Sequence, residues 1–249
     1  MTESLEQEIA ARLAAVQQRI EQSAVRAGRD AGEITLVAVT KTWPSDLLIA
    51  AYHTGIRAIG ENRAEELSQK RIALQDVFPA SDPLSWHQIG TLQSRKTRLV
   101  AQYADMFHAL DRLKVARRLS SQLVELDRFL PVLLEVNLSG EASKSGFNAD
   151  NWEEDATQRE ELRTIVQTVD QLPGLQLQGL MTMAPWDEEE AYIRTVFRRT
   201  HALREWLQEE LPRLSLPHLS MGMTDDFEIA IEEGATIVRI GRAIFGSRH

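Results

Sequence analysis

The chain contains no cysteine in its 249 residues. Disulfides, thiolate nucleophiles and cysteine-ligated zinc are excluded together. Its six histidines are scattered, with none at the spacing of a metal motif, so no metal site is expected. P-loop, GxGxxG and GxSxG patterns are also missing. No apolar run approaches the ~18 residues that a membrane span needs. The opening stretch, "MTESLEQEIAARL", is acidic and polar, so no signal or transit peptide is expected and the cytoplasm is the expected compartment. Positive charge is in the minority, with 28 Lys and Arg against 37 Asp and Glu and a net charge of -9. Counterion release on nucleic acid would favour such a chain little. The short basic stretches "SRKTR" (94–98) and "RRTHALR" (198–204) read as solvated helix faces.

What is present is an ordinary globular composition, 43% hydrophobic and 26% charged, enough for one large core. From Glu3 to about Ala27, Leu5, Ile9, Leu13, Val16 and Ile20 recur at helical spacing. Short apolar segments then alternate with longer amphipathic ones. The strand candidates are "ITLVAVTK" (34–41), "AIGEN" (58–62), "SWHQIG" (85–90), "MFHALD" (106–111), "PVLLEVNLS" (131–139), "LQLQGLMTMA" (175–184), "HLSMG" (218–222) and "TIVRIG" (236–241). Strict alternation implies parallel strands, because parallel neighbours need a crossover. The expected architecture is α/β, a TIM-type (β/α)8 barrel with an extra N-terminal helix, with a doubly wound open sheet as the alternative. Residues 1–249 are expected to be one domain, with the extra helix over 1–28 and the barrel over 34–246. The polar stretch "NADNWEEDATQREE" (148–161) reads as a loop feeding a helix.

In barrels of this kind chemistry sits at the C-terminal ends of the strands. Lys41 ends the first strand with a proline close behind. It is either a lysine snorkelling to water or an amine presented for Schiff-base chemistry, whose carbonyl partner would be a sugar-like substrate or an aldehyde cofactor. The turns after the last two strands, around Ser220–Gly222 and Gly241, suit a phosphate held by backbone N–H groups and a hydroxyl. Gly241 is equally compatible with a plain turn. Arg239 lies within an apolar strand and needs a partner, either a structural carboxylate or an aromatic nitrogen of a cofactor. Asn62 could meet a ligand or cap its turn, and His87 reads as a satisfied core side chain.

Taken together, "VAVTKTWP", "IGENRAEE", "WHQIGTLQSRK", "LLEVNLSGEASKSGF", "GLMTMAP", "HLSMGMTDDFEIAIEEGATIVRIG" and "RAIFG" resemble one family over nearly the whole chain. It is the pyridoxal 5'-phosphate (PLP) homeostasis proteins, a single-domain type similar to the N-terminal domain of alanine racemase. The resemblance implies PLP held as a Schiff base on Lys41, with phosphate contacts from Ser220, Met221, Gly222, Gly241 and the Arg242 backbone. It also implies Asn62 beside the cofactor and Arg239 facing the pyridine nitrogen. It implies a PLP carrier without established turnover, with no catalytic residue assigned, apo PLP-dependent enzymes as candidate partners, and a monomer. A low-activity amino-acid racemase is the alternative, and a PLP-free Schiff-base lyase a further one. The sequence departs from the family pattern at Arg63, Ala64, Arg95 and Thr224. Arg95 is expected near the cofactor mouth. Lys144 is a second lysine that reads as an exposed loop residue.

Overall fold

The structure, a computed structural model, describes residues 2–141 and 144–246. Helix α1 (Thr2–Arg26) comes first, followed by β1 (Thr35–Val39), α2 (Ser45–His53), β2 (Ala58–Glu61), α3 (Ala64–Ala73) and β3 (Ser85–Gln88). Next are α4 (Thr97–Tyr103), β4 (Met106–Leu110), α5 (Leu113–Glu125), β5 (Leu130–Asn137), β6 (Phe147–Asn148) and α6 (Ala156–Asp170). The chain continues with β7 (Leu175–Met181), α7 (Glu190–Glu210), β8 (His218–Ser220), α8 (Phe227–Glu232), β9 (Ile237–Ile240) and α9 (Arg242–Phe245).

Strand order is β4-β3-β2-β1-β9-β8-β7-β5, every pairing is parallel, and a further β4–β5 pairing closes the ring. Closure rules out the open sheet and leaves a TIM-type (β/α)8 barrel. The strands read as near-continuous apolar runs because helices cover the outside while the interior is filled by side chains. All eight expected strands are present, each ending one to three residues before its expected C-terminal bound. β6 was not expected: two residues pair with the end of β5 through Val136 and Phe147, too few to show any period. The loop-to-helix reading of 148–161 holds, and Asp155 caps α6 by accepting from the N–H groups of Thr157 (2.8 Å) and Gln158 (3.3 Å). Helix α8 begins at Phe227, after a turn shaped by the Asp226 carboxylate, which accepts from the Met223 N–H at 2.5 Å.

Helix α1 lies outside the eightfold repeat. It buries Ile9, Leu13, Val16, Ile20 and Ala24 against α2, α8 and α9, covering the seam where the first and last strands meet. Arg19 pairs with Glu228 at 2.8 Å and lies 4.5 Å over the Phe227 ring. Arg29 donates to the carbonyls of Ile231 and Ala235. No helix among the described residues is long and apolar enough to cross a membrane.

Candidate functional site

The β2, β1, β9 and β8 neighbours carry the residues expected to contact the cofactor, while His87 lies in β3, Arg95 follows it and Lys144 follows β5. Asn62 follows β2, Lys41 follows β1, Arg239 lies in β9 with Gly241 and Arg242 after it, and Ser220 ends β8 ahead of Met221 and Gly222. The β1–β9 register, Val37 with Arg239 and Ala38 with Ile240, sets the Lys41 segment beside the Gly241 turn. Lys41 is partly buried. Immediately after it, Thr42 stands at φ 68°, a left-handed conformation costly for a β-branched residue. Its N–H donates to Glu66 Oε1 at 2.5 Å, which holds that backbone in place.

Under this segment lies a buried polar knot. Lys70 Nζ donates to the Thr40 carbonyl (2.8 Å), Glu61 Oε1 (2.7 Å) and Glu66 Oε1 (2.7 Å), and the Thr40 hydroxyl donates to Glu61 Oε1 at 2.6 Å. Burial pushes the Glu61 carboxyl up to about 7, against the lowering pull of Lys70 and Thr40. Across the mouth, burial and the neighbouring Asp111 push Glu135 up to about 7 as well. Glu61 Oε2, Glu135 Oε2 and Asp111 Oδ1 are buried without a hydrogen-bond partner among the described residues.

Arg239 is buried and donates to the Ser220 hydroxyl (2.6 Å) and the Thr182 carbonyl (3.0 Å). Among the described residues no carboxylate lies in ion-pair range of it, so the structural ion pair is not what this arginine serves. Burial lowers its pKa to about 10, opposed by Asp226 and Glu135, which leaves it a cation at neutral pH. Met221 donates its N–H to the Ile237 carbonyl at 3.1 Å, so that N–H is committed to the sheet. Gly222 sits at φ 92°, and a methyl group there would come within 2.6 Å of Ala230 Cβ, so only glycine allows this turn to pack on α8. Arg242 is exposed, paired with Asp225, and lies 5.3 Å over the Trp186 ring. A cavity of about 410 Å³ opens there, lined by Ala184, Trp186, Met223, Asp225, Asp226 and Arg242.

Asn62 and Arg95 line one groove, with Arg95 Nε bonded to Gln93 Oε1 at 3.0 Å. Lys144 is paired with Glu141 at 2.9 Å and partly buried, so it is less exposed than a plain loop lysine. His87 is a satisfied buried side chain, bonded to Ser85 and to His108. Sequence reasoning missed Lys70, His108 and Glu135. The last two carried a readable signal, a polar residue inside an apolar strand.

The profile of the alanine racemase N-terminal domain family matches residues 11–249. A pyridoxal phosphate homeostasis protein of Pseudomonas aeruginosa is 44% identical over 240 residues, covering 96% of each chain. One from Aquifex aeolicus is 38% identical over 237 residues, 95% of this chain and 97% of its own. The chain belongs to the pyridoxal phosphate homeostasis protein family. Family membership therefore agrees with the motif resemblance. Among solved structures, PipY of Synechococcus elongatus with PLP bound is similar at a TM-score of 0.80 and 33% identity, covering 96% of this chain and 100% of that one. Alanine racemase of Corynebacterium glutamicum, at a TM-score of 0.65 and 16% identity, shares the fold.

Proposed function

We propose that this chain binds PLP at the C-terminal mouth of its barrel and serves PLP homeostasis, holding the cofactor for apo PLP-dependent enzymes rather than turning over a substrate. The observation that carries this reading is Arg239, a buried guanidinium bonded to the Ser220 hydroxyl one strand away from Lys41. The residues present fit the group. Lys41 would supply the amine that holds the aldehyde as a Schiff base, with loss of water. Ser220 supplies a hydroxyl, and the N–H groups of Gly222, Gly241 and Arg242 complete the phosphate donors. The Met221 N–H drops out of that set because the sheet uses it. Asn62 would lie beside the ring, and Arg239 would face the ring nitrogen.

PLP supplies an aldehyde and, when its ring nitrogen is protonated, an electron sink. Arg239 stays charged, so it can donate to that nitrogen but not protonate it, and carbanion chemistry is weakly supported. The three tyrosines lie on α2, α4 and α7, and the Tyr52 hydroxyl is engaged by Asp82 at 2.9 Å. Carriage is therefore favoured over racemisation.

The test is an absorbance spectrum of the wild type beside Lys41→Ala, then borohydride reduction and peptide mass mapping. A yellow band lost in the variant, with the pyridoxyl adduct on Lys41, is expected. A colourless protein that PLP cannot reconstitute overturns the reading. Interconversion of L- and D-alanine that disappears in Lys41→Ala replaces the carrier with a racemase.

A further inference from the structure

A chain of hydrogen bonds crosses the barrel interior from β3 and β4 to β8 and β9. Ser85 Oγ lies 2.9 Å from His87 Nε2, His87 Nδ1 lies 2.8 Å from His108 Nε2, and His108 Nδ1 lies 2.8 Å from Ser220 Oγ. Arg239 Nη1 donates to the same Ser220 oxygen at 2.6 Å. One end reaches the mouth. The other borders a cleft of about 410 Å³ at the opposite end of the barrel, lined by Leu13, Thr35, Gly55, Arg57, Ser85 and His87.

Both rings are neutral. Burial lowers His87 to about 4, and burial, then His87 and Arg239, put His108 well below the ordinary histidine value. A neutral imidazole has one N–H and one bare nitrogen. With every link carrying one proton, two arrangements satisfy the chain. In the first, Ser220 donates to His108, His108 Nε2–H to His87, and His87 Nε2–H to Ser85. In the second every arrow reverses: Ser85 donates to His87, His87 Nδ1–H to His108, and His108 Nδ1–H to Ser220. A mixed state leaves the His87–His108 link with two protons or none, so the rings must switch together.

The two arrangements differ at Ser220. In the first its only proton is spent on His108. In the second its oxygen accepts from both His108 and Arg239, and the proton is left to donate elsewhere. Without an acceptor at the mouth that proton would be orphaned in a buried place, so the first arrangement wins. An anion beside Ser220 reverses the preference. The Ser85 end borders a cleft where water can serve either direction, so the mouth decides.

We infer that His87 and His108 form a two-state tautomeric relay that makes Ser220 a dedicated donor to a bound phosphate, and that ligand binding switches both rings in concert. This rests on the proposed phosphate contact of Ser220. The protons balance. On switching, Ser220 passes its proton to His108 Nδ1, His108 passes one to His87 Nδ1, and His87 passes one to Ser85. Ser220 is reprotonated from the phosphate monoanion or water, and Ser85 releases one proton to water in the cleft. His87 and His108 are thus positioning residues, which act through Ser220.

Nitrogen-15 NMR of histidine-labelled protein reads the tautomers directly, before and after addition of PLP, with binding followed on the same sample by phosphorus NMR. Both rings should move from Nε2–H to Nδ1–H on binding, and neither should become an imidazolium. In Ser220→Ala, which removes the hydroxyl that couples the rings to the mouth, both rings should show the same tautomers with and without PLP, read at PLP concentrations that saturate the variant. Binding to the wild type with unmoved tautomers, or a ring switch that persists in Ser220→Ala, overturns the relay and leaves the carrier reading intact. No binding at all overturns both.

Discussion

Lys70 shows how one side chain can hold a site it does not touch. Its ammonium joins the carbonyl before Lys41 to the buried carboxylate of β2 and to the carboxylate that pins Thr42. Glu61 in the folded chain titrates near 7, above its ordinary value of 4.5. Its contribution to stability is therefore full below about pH 4.5 and is lost as pH rises through 7. Lys70 limits that loss. Lys70→Met should cost about 3 kcal/mol at pH 8, where an unpaired buried carboxylate remains, and about 1 kcal/mol at pH 5, where Glu61 keeps its proton. Urea unfolding midpoints at the two pH values measure the difference. Equal losses would assign the effect to Lys70 packing alone.

At the scale of elements, strand contact leaves room for one residue type at Gly179. This β7 residue has φ 155°, and a methyl group there would stand 1.9 Å from the His218 carbonyl oxygen on β8. Gly179→Ala must force apart neighbouring strands of a closed ring, so a loss above about 4 kcal/mol or complete failure to accumulate soluble protein is expected. Far-ultraviolet circular dichroism during urea titration checks it. These close approaches were invisible in the sequence, where Gly179 is one glycine in an apolar run. The strands themselves were legible, since buried parallel strands leave compact apolar runs, and the lysine ending the first of them stood out for the same reason. Arg239 was legible as a charge inside an apolar strand, and Ser220 as a polar residue at a strand end. Lys70 was not, because a lysine four residues after Glu66 reads as a solvated helix pair. His108 was passed over because its partner His87 lies 21 positions away, and no local spacing joins them.

At the scale of the molecule, α1 ties the two ends of the barrel together. Leu13 is buried at the centre of its apolar stripe, so Leu13→Ala should lower stability by about 3 kcal/mol while leaving unchanged the absorbance band expected of the proposed Lys41 adduct. Urea unfolding followed beside that band separates the two effects. Arg19 meets Glu228 across 209 positions of sequence, and β1 pairs with β9. A ribosome synthesising this chain delivers the lysine early and the arginine, serine and seam-closing helices last. The first helix and strand must wait, with their apolar faces uncovered, until more than nine-tenths of the polypeptide has emerged. With the site proposed above, a truncated or stalled product would present the Lys41 amine without the residues proposed to hold the phosphate, and retention of the vitamin would then require the finished chain.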